Sequence, residues 1–310
     1  MNAEVPVIDL KAWRSGDAAA RAEVAGQVDE ALRTSGFLLA DNHGIDAALT
    51  AEVREQAGRF FALGDDVKDR YRTRVGGRGW IPPGAESNSY SFGVASPPDL
   101  KETFKAGSAG RDDPSNLAVV EVPLLQTRVN AYLDASWAVA ADLFDLAGAA
   151  LGLPDGAFSG HASRQASSLN VNYYPPLKAT GPPAQGQFRI GGHSDFGVLT
   201  LLDRQPGYGG LQIQLADGRW IDAPWVPGTL TINIGDLLAR WTGDRWRSTV
   251  HRVLPPSDQA PDEALISLVH FCGVGPDTLV ETLPVDGPRR YEPVRSGDYT
   301  RAKLNAIDTA

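Results

Sequence analysis

Six short runs of β-prone residues, separated by turn residues, fill the second half of the chain and limit its fold more than any other feature. After Ser167 they read "SLNVNYYPP", "FRIGGHSDFGVLTLLD", "GGLQIQLADGRWIDAP", "GTLTINIGDLL", "RSTVHRVLPP" and "ALISLVHFCGV". Several short strands at close spacing predict a sandwich or barrel. Within the third run, Asp217-Gly218 suits a hairpin turn, because glycine takes positive φ at low steric cost.

The first half is mixed. "VPVID" (5–9) and "GFLLAD" (36–41) read as strands, and "AARAEVAGQVDEALRTSG" carries helical spacing that ends on Gly36. Asp46 stands where an N-cap would open a helix reaching Phe60 and Phe61. From 126 to 151, Val129, Leu133, Trp137, Ala140, Phe144, Ala147 and Leu151 recur at three- and four-residue steps, which predicts a long amphipathic helix supporting the β region. Between them, residues 72–98 combine Gly, Pro and Ser with aromatics, the composition of a loop with a function. Trp80, Tyr90 and Phe92 are its candidates for lining a substrate pocket, against the plainer reading that they pin the loop to the core.

Composition narrows the class. At 310 residues and 42% hydrophobic content the chain can bury a core of one large domain or two smaller ones. A net charge of −9, with no long cluster of Lys and Arg, argues against nucleic acid as a partner. No segment stays apolar for the roughly 20 residues of a membrane span. The opening "MNAEVPVIDLKAW" lacks the basic flank and apolar stretch of a signal peptide, so a cytoplasmic protein is expected. The single cysteine, Cys272, reads as core filler in an apolar run. No glycine-rich phosphate loop occurs, since "GYGG" and "GVG" lack the helix and lysine that such a loop requires.

Chemistry concentrates in "GHSDFGVLTLL" (192–202). Residues two apart on a strand share a face, so His193 and Asp195 can present two ligands side by side. A lone His-x-Asp is weak evidence, but His251 lies on another predicted strand of the same region. Two imidazoles and one carboxylate form a facial triad with open positions on one side, the arrangement suited to Fe(II) oxygen chemistry. Zinc would call for a more closed tetrahedral set, and no further Cys or His is placed to complete it.

Taken together, the motifs "VPVIDL", "GFLLADNHGI", "PPDLKETF", "LNVNYYPP", "GHSDFGVLTLLD", "GGLQIQ", "TINIGDLLARWTGDRWRSTVHRV" and "ISLVHF" resemble, in order, the isopenicillin N synthase-like branch of the Fe(II)/2-oxoglutarate-dependent oxygenases. The resemblance implies a mainly β protein with flanking helices: a double-stranded β-helix (jelly roll) core behind an α/β N-terminal region. It divides the chain into an N-terminal region, 1–115, and a catalytic region, 116–310. It implies Fe(II) held by His193, Asp195 and His251, and 2-oxoglutarate held by Asn172 and Tyr174 of "NVNYYPP" and by Ser267. With O2 as the second cosubstrate, the reaction implied is hydroxylation, desaturation or cyclisation of a small organic substrate. His43, in "NHGI", is expected to be structural, and the face of His270 is open.

One position departs from the pattern. Family members carry Arg-x-Ser on the last core strand, where the arginine fork pairs with the distal carboxylate of 2-oxoglutarate. Here the residues are Leu265-Ile266-Ser267. A carboxylate in an apolar pocket without a cation loses solvation that isolated hydrogen bonds do not restore. Arg189, an even four residues before His193, is the best substitute by strand parity, and Arg247 has the same relation to His251. Leu265 also motivates an alternative, an Fe(II) oxidase that needs no 2-oxo acid, as isopenicillin N synthase is. A non-catalytic metal- or ligand-binding module and a zinc hydrolase are the remaining alternatives. The intact triad argues against the first, and the lack of a nearby general base against the second. Substrate identity and oligomeric state are not read from these motifs.

Overall fold

The structure, a computed structural model, describes residues 5–107, 118–208, 210–283 and 291–309. Its strands are β1 (Val7–Asp9), β2 (Phe37–Asp41), β3 (Gly79–Ile81), β4 (Glu102–Gly107), β5 (Ala162–Tyr174), β6 (Ile190–His193), β7 (Leu199–Asp203), β8 (Leu211–Gln214), β9 (Trp220–Asp222), β10 (Leu230–Ile234), β11 (His251–Val253) and β12 (Leu265–Val274). The six β-prone runs become β5 to β12, which divide between two sheets. A small sheet has the order β6-β11-β8-β9, and the middle of a larger one has β10-β7-β12-β5. These eight strands form the jelly roll. Strands from the N-terminal third extend the large sheet at both edges, β2 and β1 beyond β10 and β4 and β3 beyond β5. The N-terminal region thus shares a sheet with the jelly roll, and the boundary expected at 115–116 lies outside the described residues.

Side-chain alternation on the strands sorts their residues between two environments. On β12, Ile266, Leu268 and Cys272 point into the main hydrophobic core, under the helix Leu125–Ala150. His270 shares that face, with Nδ1 2.9 Å from Ser136 Oγ on the helix. Burial holds its imidazole neutral, its pKa pushed down to about 3. The alternate residues, Leu265, Ser267, Val269 and Phe271, face the small sheet. A second, smaller core between the sheets contains Val5, Phe37, Leu39, Leu211, Ile213 and Ala223.

The helices Ala18–Thr34 and Ala47–Phe61 pack against Leu125–Ala150. Asp46 caps its helix as expected, accepting from Ala48 N at 2.8 Å. Gly36, after the first of these helices, has φ +72°, and a Cβ there would stand 2.2 Å from Arg247 O. The segment 72–98 is more ordered than its composition predicts, because β3 pairs with β4 and Asn88–Phe92 forms a 3₁₀ turn. Among the described residues no helix is long and apolar enough to cross a membrane.

The turn "NIGDLL" joins the fold to the site. Gly235 N donates to Val198 O at 3.0 Å, Asp236 N to Asp195 O at 2.7 Å and Leu237 N to Gly197 O at 3.1 Å. Gly235 has φ −104°, so glycine is needed for space and not for conformation. A Cβ would come within 2.4 Å of Gly197 O and 2.8 Å of Asp195 O, both backbone atoms that cannot swing aside. The substitution Gly235→Ala is expected to destabilise the fold by about 2 kcal/mol or more, as overpacking does. Denaturant unfolding reads this directly, and a change below about 0.5 kcal/mol, the scale of a neutral surface substitution, would show that the turn yields.

Candidate active site

His193 ends β6 and His251 begins β11, and the two are register partners in the small sheet. Their ring centroids lie 4.3 Å apart. Asp195 follows β6, with Oδ1 3.8 Å from His193 Nε2 and 3.7 Å from His251 Nε2. All three residues are buried, and their candidate ligand atoms lie within 4.8 Å of one another.

Each side chain is turned by a hydrogen bond on its other atom. His193 Nδ1 lies 2.8 Å from Gly191 O and His251 Nδ1 lies 3.1 Å from Thr249 O. A ring nitrogen facing a carbonyl carries the proton, so both Nε2 lone pairs are left for a metal. On Asp195, Oδ2 accepts from Thr200 Oγ1 at 2.6 Å and Asn233 Nδ2 at 2.7 Å, which leaves Oδ1 towards the histidines. Burial, reinforced by His251, pushes the pKa of His193 down to about 3, so the ring is in its ligating form. Burial raises the pKa of the Asp195 carboxyl, but the two histidines and its two donors outweigh this and hold it ionised. Two imidazoles with Nε2 turned inward and a carboxylate converging in a buried site fit Fe(II).

Beside the triad, Asn172 and Tyr174 on β5 stand opposite Ser267 and Leu265 on β12 in register. All four line one cavity of about 80 Å³ together with the three triad residues. Asn172 Oδ1 accepts from Thr103 Oγ1 at 2.8 Å, and Thr103 Oγ1 in turn accepts from Lys101 Nζ at 3.1 Å. Lys101 also pairs with Glu86. The Tyr174 hydroxyl is within hydrogen-bonding reach of Asn172 and Ser267, and burial pushes its pKa up, so it stays protonated. A second cavity, of about 640 Å³, is also bordered by His193 and Asp195.

Comparison with known proteins agrees with this geometry. Residues 5–123 match the family described as non-haem dioxygenase in morphine synthesis N-terminal, and residues 165–273 match the 2OG-Fe(II) oxygenase superfamily. The chain is 38% identical to Validamycin A dioxygenase of Streptomyces hygroscopicus subsp. limoneus, covering 93% of this chain and 81% of that protein. The chain belongs to the 2OG-Fe(II) oxygenase superfamily. Among solved structures, a full-length Neurospora crassa protein in complex with alpha-KG (2-oxoglutarate) and thymine superposes with a TM-score of 0.84. It is 27% identical, covering 97% of this chain and 96% of that one. The rice dioxygenase for auxin oxidation superposes with a TM-score of 0.76 at 26% identity, covering 97% and 95%. The chain is accordingly an Fe(II)- and 2-oxoglutarate-dependent oxidoreductase.

In this oxygenase the loop aromatics do not line the site. Trp80 is only 2% exposed, part of the main core, with Nε1 donating to Glu102 Oε2 at 2.6 Å. Phe92 is 46% exposed and meets Lys303, and neither it nor Tyr90 borders either cavity. The segment does border the larger cavity, but through polar residues such as Arg74, Arg78, Glu86 and Asn88. The pinning role outweighs the substrate role for Trp80, because an indole N–H must be satisfied once buried.

The two substitute arginines are also displaced from the site. β6 carries a bulge: His251 pairs with His193, but Val253 pairs with Ile190, three residues back instead of two. The extra residue reverses the parity, so Ile190 and not Arg189 lies in the cavity wall. Arg189 is fully buried beside Tyr174, its Nη1 3.2 Å from Glu263 Oε1 and its Nη2 3.2 Å from Glu263 O. Arg247 packs towards the helix Ala18–Thr34 through N–H donation to Leu32 O and lines neither cavity.

Sequence reasoning missed Thr200, Asn233 and Lys101, together with Asp99, whose Oδ1 accepts from Gly191 N at 2.9 Å at the bulge, and Arg204, which lines the smaller cavity. Thr200 lies inside the quoted "GHSDFGVLTLL" run, and Asn233 precedes "IGD". Both are polar residues interrupting apolar strands, the signal that would have found them. Replacing them together (Thr200→Val with Asn233→Leu) is expected to weaken Fe(II) binding about 10- to 100-fold, as loss of a ligand's supporting hydrogen bonds does, with the fold retained. Anaerobic metal titration with circular dichroism measures both, and unchanged affinity would show that Asp195 is oriented by other groups.

Proposed function

We propose that the oxygenase oxidises a polar small molecule rich in hydrogen-bonding groups, held in the larger cavity against His193 and Asp195. The observation that carries this reading is a pair of unsatisfied polar groups facing each other across β4 and β5. Lys105 and Asn170 are register partners and both line the cavity. Lys105 makes no ion pair or hydrogen bond to any described residue, and Asn170 Oδ1 is buried without a hydrogen-bond partner. The buried, unpaired Asn170 Oδ1 costs free energy, and the half-buried Lys105 beside it makes no ion pair, so the cavity calls for a ligand that completes both. Such a ligand offers acceptors, hydroxyl or carboxylate oxygens, to Lys105 and a donor to Asn170. An apolar substrate would leave both unpaired.

Bound Fe(II) supplies the oxidising chemistry, in which 2-oxoglutarate and O2 give succinate and CO2 while a C–H bond of the substrate is oxidised. Each chain residue has a narrower task. His193, Asp195 and His251 would hold the metal, their ligand atoms lying within 4.8 Å of one another. Thr200 and Asn233 fix the carboxylate of Asp195, and Phe37 packs against the His251 ring with the centroids 5.5 Å apart. Asn172, Tyr174 and Ser267, which line the smaller cavity with the triad, would contact the 2-oxo acid. Hydroxylation is the default outcome. The division into an N-terminal region, 1–115, and a catalytic region, 116–310, belongs to the same reading, as does a cytoplasmic location, in keeping with a lone, buried, free cysteine.

The similarity to Validamycin A dioxygenase makes validamycin A the first compound to try, with thymine as the comparison. Succinate release from 2-oxoglutarate is expected to rise with the correct polar substrate. Lys105→Met is expected to lower kcat/KM for that substrate about tenfold or more, mainly through KM, because a charged hydrogen bond is lost. Its substrate-free turnover of 2-oxoglutarate should be unchanged. Equal kcat/KM for Lys105→Met and the unmutated enzyme would overturn this assignment of the cavity.

A further inference from the structure

The missing arginine of β12 has a counterpart on the neighbouring strand. β7 and β12 are antiparallel, with Thr200 opposite Phe271 and Leu202 opposite Val269. These four residues line the smaller cavity, so the inward positions run 200, 202 on β7 and 271, 269 on β12. Continuing both strands by one inward step brings Arg204 beside Ser267, and Arg204 and Ser267 both line that cavity with Asn172, Tyr174 and Leu265. An arginine at 265 would have faced the same corner from the other strand.

Arg204 is held there without a counter-charge. Its Nη2 donates to Ala223 O at 2.8 Å and Pro224 O at 2.6 Å, and its Nε reaches Thr231 Oγ1 at 3.4 Å. No hydrogen bond to a described residue occupies Nη1, and no described Asp or Glu forms an ion pair with the guanidinium. Burial alone lowers its pKa, to about 10, so it remains charged. The contrast with Arg189, already paired with Glu263, is direct. Neutral carbonyl partners orient a guanidinium but leave its charge uncompensated, a costly arrangement beside a cavity unless an anion enters.

We propose that Arg204 is the cation that binds the distal carboxylate of 2-oxoglutarate, with Ser267 beside it, in place of the arginine absent at Leu265. The inference rests on the reading of this site as a 2-oxoglutarate site. The charges also balance. Fe(II) and Asp195 together carry one positive charge, the dianionic cosubstrate needs a second, and Arg204 provides it.

The test compares two 2-oxo acids on the Fe(II)-loaded, oxygen-free protein. 2-Oxoglutarate and pyruvate chelate a metal through the same groups, but only 2-oxoglutarate has a distal carboxylate. Binding is followed by the visible absorption of the chelate and by calorimetry. The unmutated protein is expected to prefer 2-oxoglutarate strongly. Arg204→Met is expected to weaken 2-oxoglutarate by about 100-fold or more, the scale of a broken buried charge pair, while pyruvate changes by less than about threefold. Moving the arginine back, with Arg204→Met and Leu265→Arg combined, is expected to restore most of the preference. Undiminished 2-oxoglutarate binding in Arg204→Met, or an equal loss for both acids, would overturn the assignment and leave Arg204 a structural tie to the 223–224 carbonyls. Failure of the unmutated protein to bind 2-oxoglutarate, with pyruvate or Fe(II) still bound, would instead overturn the underlying reading and the inference with it.

Discussion

The pairing of His251 opposite His193 across β11 and β6 is the contact on which the site depends. Side chains alternate along a strand, so a slip of one residue would turn one imidazole out of the barrel and disband the triad. The register is held on the far side by β8, where Ile213 pairs with His251 and Leu211 with Val253. It is held on the near side by a bulge at Gly191 and Gly192. Gly191 N donates to Asp99 Oδ1 at 2.9 Å, and a Cβ on Gly191 would strike Ser89 Oγ at 2.2 Å. The "PPDLKETF" stretch therefore contributes to the metal site from a distance, through Asp99 at the bulge and through Lys101 and Thr103 behind Asn172.

The triad and the two cavities beside it differ in how their polar groups are satisfied. Around the triad nearly every polar atom not aimed at the metal already has a partner: the two Nδ1 atoms on carbonyls, and Asp195 Oδ2 on Thr200 and Asn233. Such closure suits atoms that must be in place before the cosubstrates arrive. The two cavities keep groups in reserve, Arg204 Nη1 in the smaller and Lys105 with Asn170 in the larger. Reserve of this kind marks where ligands enter, because it is the ligand that relieves the cost of the unpaired atom.

Much of this was legible in the sequence, for identifiable reasons. The β runs, the Asp46 cap, the long helix within one residue at each end and the His193, Asp195 and His251 constellation follow from local periodicity, capping chemistry and spacing. The failures came where distant groups decide local geometry. Arg189 satisfied strand parity, but the bulge fixed by Asp99, nearly a hundred residues earlier, put Ile190 in its place. Trp80 looked like a loop aromatic until Glu102, on a strand whose pairing is not local, accepted its N–H. Arg204 carries no motif, and its importance appears only when β7 is laid beside β12 and Leu265 is seen across from it.

A crystal structure of the protein loaded without oxygen with Fe(II) and 2-oxoglutarate would show both the metal ligands and the cation at the distal carboxylate. The metal is expected on Nε2 of His193, Nε2 of His251 and Oδ1 of Asp195, with the distal carboxylate of the 2-oxo acid between Ser267 and Arg204. Metal bound by any other set of residues, or a distal carboxylate directed to Arg189 or to solvent, would contradict this assignment.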